Sequence, residues 1–140
     1  MVRFIAVVVM CISFAVSASS PKPPQSPETA AAGSAEAWLA KVDSEKYAES
    51  WAESAESFRA AVKKEQWPEM MTSVRKPLGK VVSRKLTSKK YTESLPNAPA
   101  GKYVVLQFQT TFENKKDAVE TVTPVLDKDG KWRTTGYFIK

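Results

Sequence analysis

The sequence predicts an α+β domain in which three N-terminal helices pack on a curved four-stranded antiparallel meander. Three observations lead there. Between about residues 34 and 78, apolar side chains recur at steps of three or four. After Gly79 the period changes to two. The closing stretch, 101–140, holds strand-like runs separated by short polar turns at 114–117 and 127–130.

The chain opens with an export-type leader over residues 1–18. Arg3 supplies a positive start, and an apolar run follows from Phe4 to Val16. Val16, Ser17 and Ala18 are the small residues a signal peptidase reads. The run falls short of the roughly 20 residues a bilayer span needs. Cleavage is expected after Ala18 or shortly beyond, and no transmembrane helix is expected in the mature protein. The expected destination is the periplasm or the exterior. The single cysteine, Cys11, would leave with the leader, so the mature core would hold together without disulfides.

Residues 19–33 read as a disordered Pro/Ser/Ala-rich linker, because four prolines among small residues cannot bury enough apolar surface to offset ordering. A single α+β domain is expected over residues 34–140. Its first helix starts at Ser34 as a cap, with Trp38, Leu39 and Val42 on one face. A second runs from about Glu45, with Tyr47, Trp51, Ala55, Phe58 and Val62 inward. A third runs from about Glu65 to Leu78, with Trp67, Met70, Met71, Val74 and Leu78 inward and Pro68 in its opening turn. Trp38, Trp51 and Trp67 are therefore expected to face the core together.

The first strand is expected over 81–94, with Val82, Arg84 and Leu86 on one side. In the second strand, Val104, Leu106, Phe108, Thr110 and Phe112 share a face. The third spans 118–126 and the fourth 131–139, joined by a turn with Gly130 in the left-handed position. Pro124 forfeits a sheet hydrogen bond, so a bulge or a strand end is expected there.

Composition narrows the chemistry. There are 21 Lys+Arg against 15 Asp+Glu, a net charge of +6, and no histidine. The commonest general base and the commonest metal ligand among side chains are both missing. No metal site, cofactor motif or nucleophile triad is readable, and none is expected. Ketosteroid-isomerase-like chemistry needs a carboxylate base and an acidic donor in an apolar cavity. Glu120, Tyr91, Tyr103 and Tyr137 supply those residue types, and no spacing selects among them.

Strand parity places Arg84 beside Leu86, and could place Glu120 beside Ala118 and Val122 on the same face. An Arg84–Glu120 pair would then reach across the intervening strand, either orienting a ligand carboxylate or locking the register of the sheet. The residues expected to line the interior cavity or make this pair are Arg84, Glu120, Trp38, Trp51, Trp67 and Tyr137. A basic surface is expected from Arg75, Lys76, Lys80, Lys85, Lys89 and Lys90, facing an acidic stretch over 36–56. The candidate partners are a small apolar ligand or an anionic envelope surface. Nucleic acid is not expected, since aromatics do not interleave the basic run.

The runs WLAKVDSEKYAESW, FRAAVKKEQW and RKPLGKVVSRKL, together with the closing WRTTGYFIK, resemble an exported bacterial family, domain-of-unknown-function family 4019. The likeness covers about Ala35 to Lys140 and implies no particular activity. The order of elements also resembles the cone-shaped fold of nuclear transport factor 2 and ketosteroid isomerase, with four clear strands here. The function expected is a small exported binding or accessory module without catalysis. The alternatives are an isomerase-like or dehydratase-like enzyme acting in the cone, and a basic protein associated with the envelope surface.

Overall fold

In the computed structural model, residues 20–140 are described. The expected leader, residues 1–18, lies outside the described residues. Four helices precede a four-stranded antiparallel sheet: α1 (Pro27–Asp43), α2 (Tyr47–Ala52), α3 (Glu56–Ala61), α4 (Gln66–Arg75), β1 (Val81–Thr92), β2 (Tyr103–Phe112), β3 (Lys115–Leu126) and β4 (Trp132–Ile139). The strands lie in sequence order, β1-β2-β3-β4, so β1 and β4 are the two edges.

The first helix corrects the linker expected over 19–33. It starts at Pro27, and the Ser26 hydroxyl accepts the Thr29 amide at 3.2 Å. Pro27 is therefore a helix starter rather than part of a spacer, because its fixed φ suits the first helical position and its missing N–H has no partner to lose there. Ala31, Ala32 and Ala35 continue the buried stripe that runs to Trp38, Leu39 and Val42. The small side chains of the added turns let α1 lie close to its neighbours.

The second correction is the count of helices. The single helix expected from Glu45 to Val62 is broken at Ser54 and Ala55, where Ala55 is extended. Its amide leaves the helical ladder and donates to the Thr134 carbonyl on β4 at 2.8 Å. Periodicity did not reveal the break, because Ala55 and Phe58 stay buried on both sides of it.

In α4 the buried stripe is Trp67, Met71 and Arg75, not the expected Met70 and Val74, which are 49% and 47% exposed. The chain turns at 76–78, and Gly79 follows with φ +77°. A Cβ there would meet the Glu113 Cβ at 2.9 Å, so only glycine lets this turn lie against the β2–β3 hairpin. That hairpin turns at Glu113 and Asn114, tighter than the expected 114–117. The Glu113 carboxylate accepts the Lys80 amide at 2.7 Å.

Two bulges in β1, at 81–83 and 86–88, reset the parity. Arg84 and Leu86 face the helices as expected. Val82 falls on a bulge and is 66% exposed. Beyond the second bulge it is Tyr91, rather than Thr92, that packs on the core. The register irregularity beside Pro124 lies between Thr123 and Pro124.

The core lies between the helices and the inner face of the sheet. Trp38, Leu39, Val42, Trp67 and Met71 meet Leu106, Phe108 and Val122 there, with Trp51 partly buried at the rim. Each of the large side chains contributes about 2–3 kcal/mol on burial.

Candidate functional site

Tryptophans bring polar N–H groups into this core, and two serines accept them. Ser50 and Ser54, both fully buried, lie one turn apart at the end of α2. The Trp38 indole donates to the Ser50 carbonyl at 2.9 Å and to the Ser54 hydroxyl at 3.0 Å. The Trp67 indole donates to the Ser50 hydroxyl at 2.9 Å. Trp51 donates to the Val62 carbonyl at 2.7 Å, which ties α2 to the end of α3. The rings stack by their edges: Trp67 stands 5.0 Å from Phe58 and Trp38 stands 5.2 Å from Tyr137, both T-shaped. With its indoles satisfied in this way, the aromatic cluster forms part of the hydrophobic core.

Beside it runs a chain of charges that crosses the domain. Register pairs Arg84 with Thr110 and Thr110 with Ala118, while Glu120 pairs with Phe108. Arg84 and Glu120 therefore share the inner face, one on each side of β2. Arg84 Nε donates to Glu120 Oε1 at 2.7 Å, and the Thr110 hydroxyl between them donates to the same oxygen at 2.5 Å. The Tyr137 hydroxyl from β4 donates to Glu120 Oε2. Glu120 is 0% exposed, so its charge is held by these donors alone.

The other side of the Arg84 guanidinium grips Asp43 at the end of α1. Nη1 and Nη2 make a two-point fork at 2.6 Å and 3.0 Å. Arg75 Nη2, from the end of α4, reaches the same carboxylate at 2.8 Å. The Arg75 guanidinium also lies over the Phe112 ring, 5.0 Å from its centroid. Its Nε and Nη1 are buried without an acceptor among the described residues. Two guanidinium groups thus balance two carboxylates, and the chain links α1, α4, β1, β3 and β4.

The electrostatics follow from that geometry. Burial alone would raise the Asp43 pKa, but hydrogen bonds from Arg84 and Arg75 outweigh it and hold the carboxyl below its ordinary value of 3.8. Burial works against the Arg84 cation too, and Asp43 and Glu120 outweigh it, leaving the guanidinium more firmly protonated than usual. Burial and the nearby Glu120 charge push the Tyr137 phenol far above its ordinary value of 10.0. At neutral pH the tyrosine therefore keeps its proton and donates it to Glu120.

Of the residues singled out from sequence, Arg84, Glu120, Tyr137 and Trp38 come together. Trp67 packs behind them at 6.0 Å from Trp38, and Trp51 lies at the margin. Arg75 does not belong to the basic surface. It is 6% exposed and anchored inside by the Asp43 carboxylate and the Phe112 ring. Sequence reasoning missed Asp43 and Thr110. Asp43 is the last residue of α1, and nothing in the local spacing marks it as the partner of Arg84 and Arg75. Arg75 had a usable signal, since it sits four residues beyond Met71 and eight beyond Trp67 on the buried stripe. Lys76, Lys80, Lys85, Lys89 and Lys90 are exposed as expected, and no ion pair among the described residues engages them. Tyr91 donates to Glu93, and Tyr103 to the Pro99 carbonyl, both away from Glu120.

Two depressions open at the surface, and Trp38 is among the residues that line the second. One, of roughly 420 Å³, sits on the outer face of the sheet between β1, β2 and the 94–96 loop. The other, of roughly 350 Å³, lies where Trp132 on β4 meets α1 and α2. Among the described residues, no group of three or more His, Cys, Asp or Glu is placed to hold a metal, and no helix is long and apolar enough to cross a membrane.

Fold and site together define a small α+β domain with an aromatic core and a buried charge chain. The chain belongs to the family described as protein of unknown function (DUF4019), whose model matches residues 34–137. No curated protein and no solved structure matches it.

Proposed function

We propose that this chain is a small exported binding or accessory module whose interior performs no catalysis, built on a cone-like frame akin to that of nuclear transport factor 2 and ketosteroid isomerase. The observation that carries the reading is the engagement of Glu120. Arg84 and Thr110 occupy one carboxylate oxygen and Tyr137 the other, all from the chain itself. A general base needs a free lone pair facing a substrate proton. Here the carboxylate faces its own sheet, and Trp38, Phe108 and Val122 belong to the packed core around it. The role that fits is to lock β1, β3 and β4 in register. The leader expected over residues 1–18 supports export.

A second reading, an isomerase-like enzyme, is favoured by one contact. A buried carboxylate touching a tyrosine is the pairing that proton transfer next to a carbonyl would use. Incubation of the purified protein with isomerisable and hydrolysable substrates separates the two. The binding-module reading expects no turnover that depends on Glu120. A rate abolished by Glu120→Gln with an unchanged melting temperature would overturn it and favour the enzyme.

A further inference from the structure

The two edges of the sheet are finished differently. On β4 the Thr134 carbonyl takes the Ala55 amide at 2.8 Å, and the Trp132 carbonyl takes the Ser34 hydroxyl at 2.6 Å. Ser57 and Thr135 join their hydroxyls beside them at 2.8 Å. Helices α1 and α3 thus close that edge. The edge of β1 receives nothing comparable. Across its twelve residues no backbone hydrogen bond from a described residue reaches the side away from β2. A row of unpaired amides and carbonyls is a template for another strand.

The side chains narrow what could pair there. Lys85 and Lys90 stand on the outer face of β1, and Lys89 at the rim of the inner face, all exposed. A second copy of β1 would set these lysines against their like, which disfavours self-pairing. The chain's own residues 1–26 contain no Asp or Glu, so they offer the lysines no counter-charge. Past the bulge at 86–88, residues Ser88 to Thr92 pair with β2 in unbroken register and form a regular strip of edge. Beside it lies the 420 Å³ depression, floored by Val105, Leu95 and Pro96 and rimmed by Lys90 and Thr92.

We infer that the β1 edge is the docking site of this module, and that its partner is an extended acidic segment of another protein added as a fifth strand. Main-chain hydrogen bonds supply the affinity in this mode, and side chains on alternate faces supply the selectivity. Carboxylates on the partner's outer face meet Lys85 and Lys90, and an apolar side chain between them, opposite Ser88, leans into the depression. The inference rests on the binding-module reading, but peptide binding and Glu120-dependent turnover are measured separately, so either can fail alone.

The test titrates the full chain with three blocked peptides and follows backbone amide shifts by NMR. The first alternates Thr and Glu around a central Val. The second carries Lys in place of Glu. The third is the Glu peptide with alternate backbone amides methylated, which keeps the charge but removes strand pairing. The expected result is at least tenfold tighter binding of the Glu peptide than of either other peptide, with shifts concentrated in residues 83–92 and their β2 partners. The triple variant Lys85→Glu, Lys89→Glu, Lys90→Glu should reverse the preference between the Glu and Lys peptides. The comparison on the unaltered chain stands whether or not that variant folds. Equal binding of the methylated and parent peptides would reduce the edge to an electrostatic surface and overturn the inference. So would shifts confined to another face. No binding at millimolar peptide would also overturn it and leave the lysines as guards against aggregation.

Discussion

The edge strands β1 and β4 are held by opposite means, and the contrast explains where the charges of this domain go. β4 is secured from outside, by an amide from Ala55 and a hydroxyl from Ser34 that cap its free carbonyls. β1 has no such cover among the described residues. It is secured from inside, by Arg84, whose guanidinium reaches over β2 to Glu120 and down to Asp43. An edge fastened by its inner side chains can leave its backbone free for pairing. An edge fastened by its backbone cannot. The lysines follow the same division, since Lys85, Lys89 and Lys90 all lie on the strand that stays open.

Breaking the inner fastening should have the largest effect. Replacement of Glu120 by Ala leaves Arg84 and Tyr137 turned toward an uncompensated site. A loss of about 3–5 kcal/mol in the unfolding free energy is expected, measured by urea denaturation. Ser34→Ala removes one cap from β4 and should cost about 1 kcal/mol, with faster amide exchange at β4 and none at β1. If β1 exchanged faster instead, the two edges would not be independent.

A smaller effect of opposite sign tests the beginning of α1. Gly33 lies inside that helix, is exposed, and has open space where a Cβ would be. Gly33→Ala should stabilise by about 0.5–1 kcal/mol in thermal or urea unfolding. A destabilisation would mean that residues 27–33 are not helical in solution. Smallest of all, single alanine replacements of Lys85, Lys89 or Lys90 should stay within about 0.5 kcal/mol of the parent.

The pH dependence separates the inner network from the surface. The folded-state pKa of Tyr137 is raised, so its contribution is fully present below the ordinary phenol value of 10.0. It is lost as pH rises above that, because the unfolded chain releases the proton first. Tyr137→Phe should therefore flatten the alkaline fall in stability. The Asp43 pKa is depressed, so its contribution is present above 3.8 and is lost as pH falls below that value. Asp129, held down to about 2 by hydrogen bonds from Arg133, loses its pairing over the same acid range, but at the surface, where its weight is small.

Much of this was legible in the sequence, and the misses have physical causes. Alternation placed Arg84 and Glu120 on one face because a sheet's period is two and β2 lies between them. The same alternation failed at Val82 and Tyr91, because two bulges insert extra residues that periodicity does not register. Helical spacing found Trp38 and Trp67, but it ranked Val74 above Arg75. A hydropathy pattern has no way to credit a guanidinium whose carboxylate lies 32 residues earlier in the chain. Proline content suggested a spacer over 19–33, although Ser26 followed by Pro27 is also the start signal of a helix.

The most direct test of the account is the equilibrium unfolding of Arg84→Met. The methionine side chain replaces the apolar stem of the arginine but has no guanidinium to hold Glu120 or Asp43. The account predicts a loss of about 3–5 kcal/mol, most of it recovered when Glu120→Leu is added so that no buried carboxylate is left alone. A variant as stable as the parent would contradict the locking role, and the loss of a bound ligand in that same variant would make the Arg84–Glu120 pair a binding site instead.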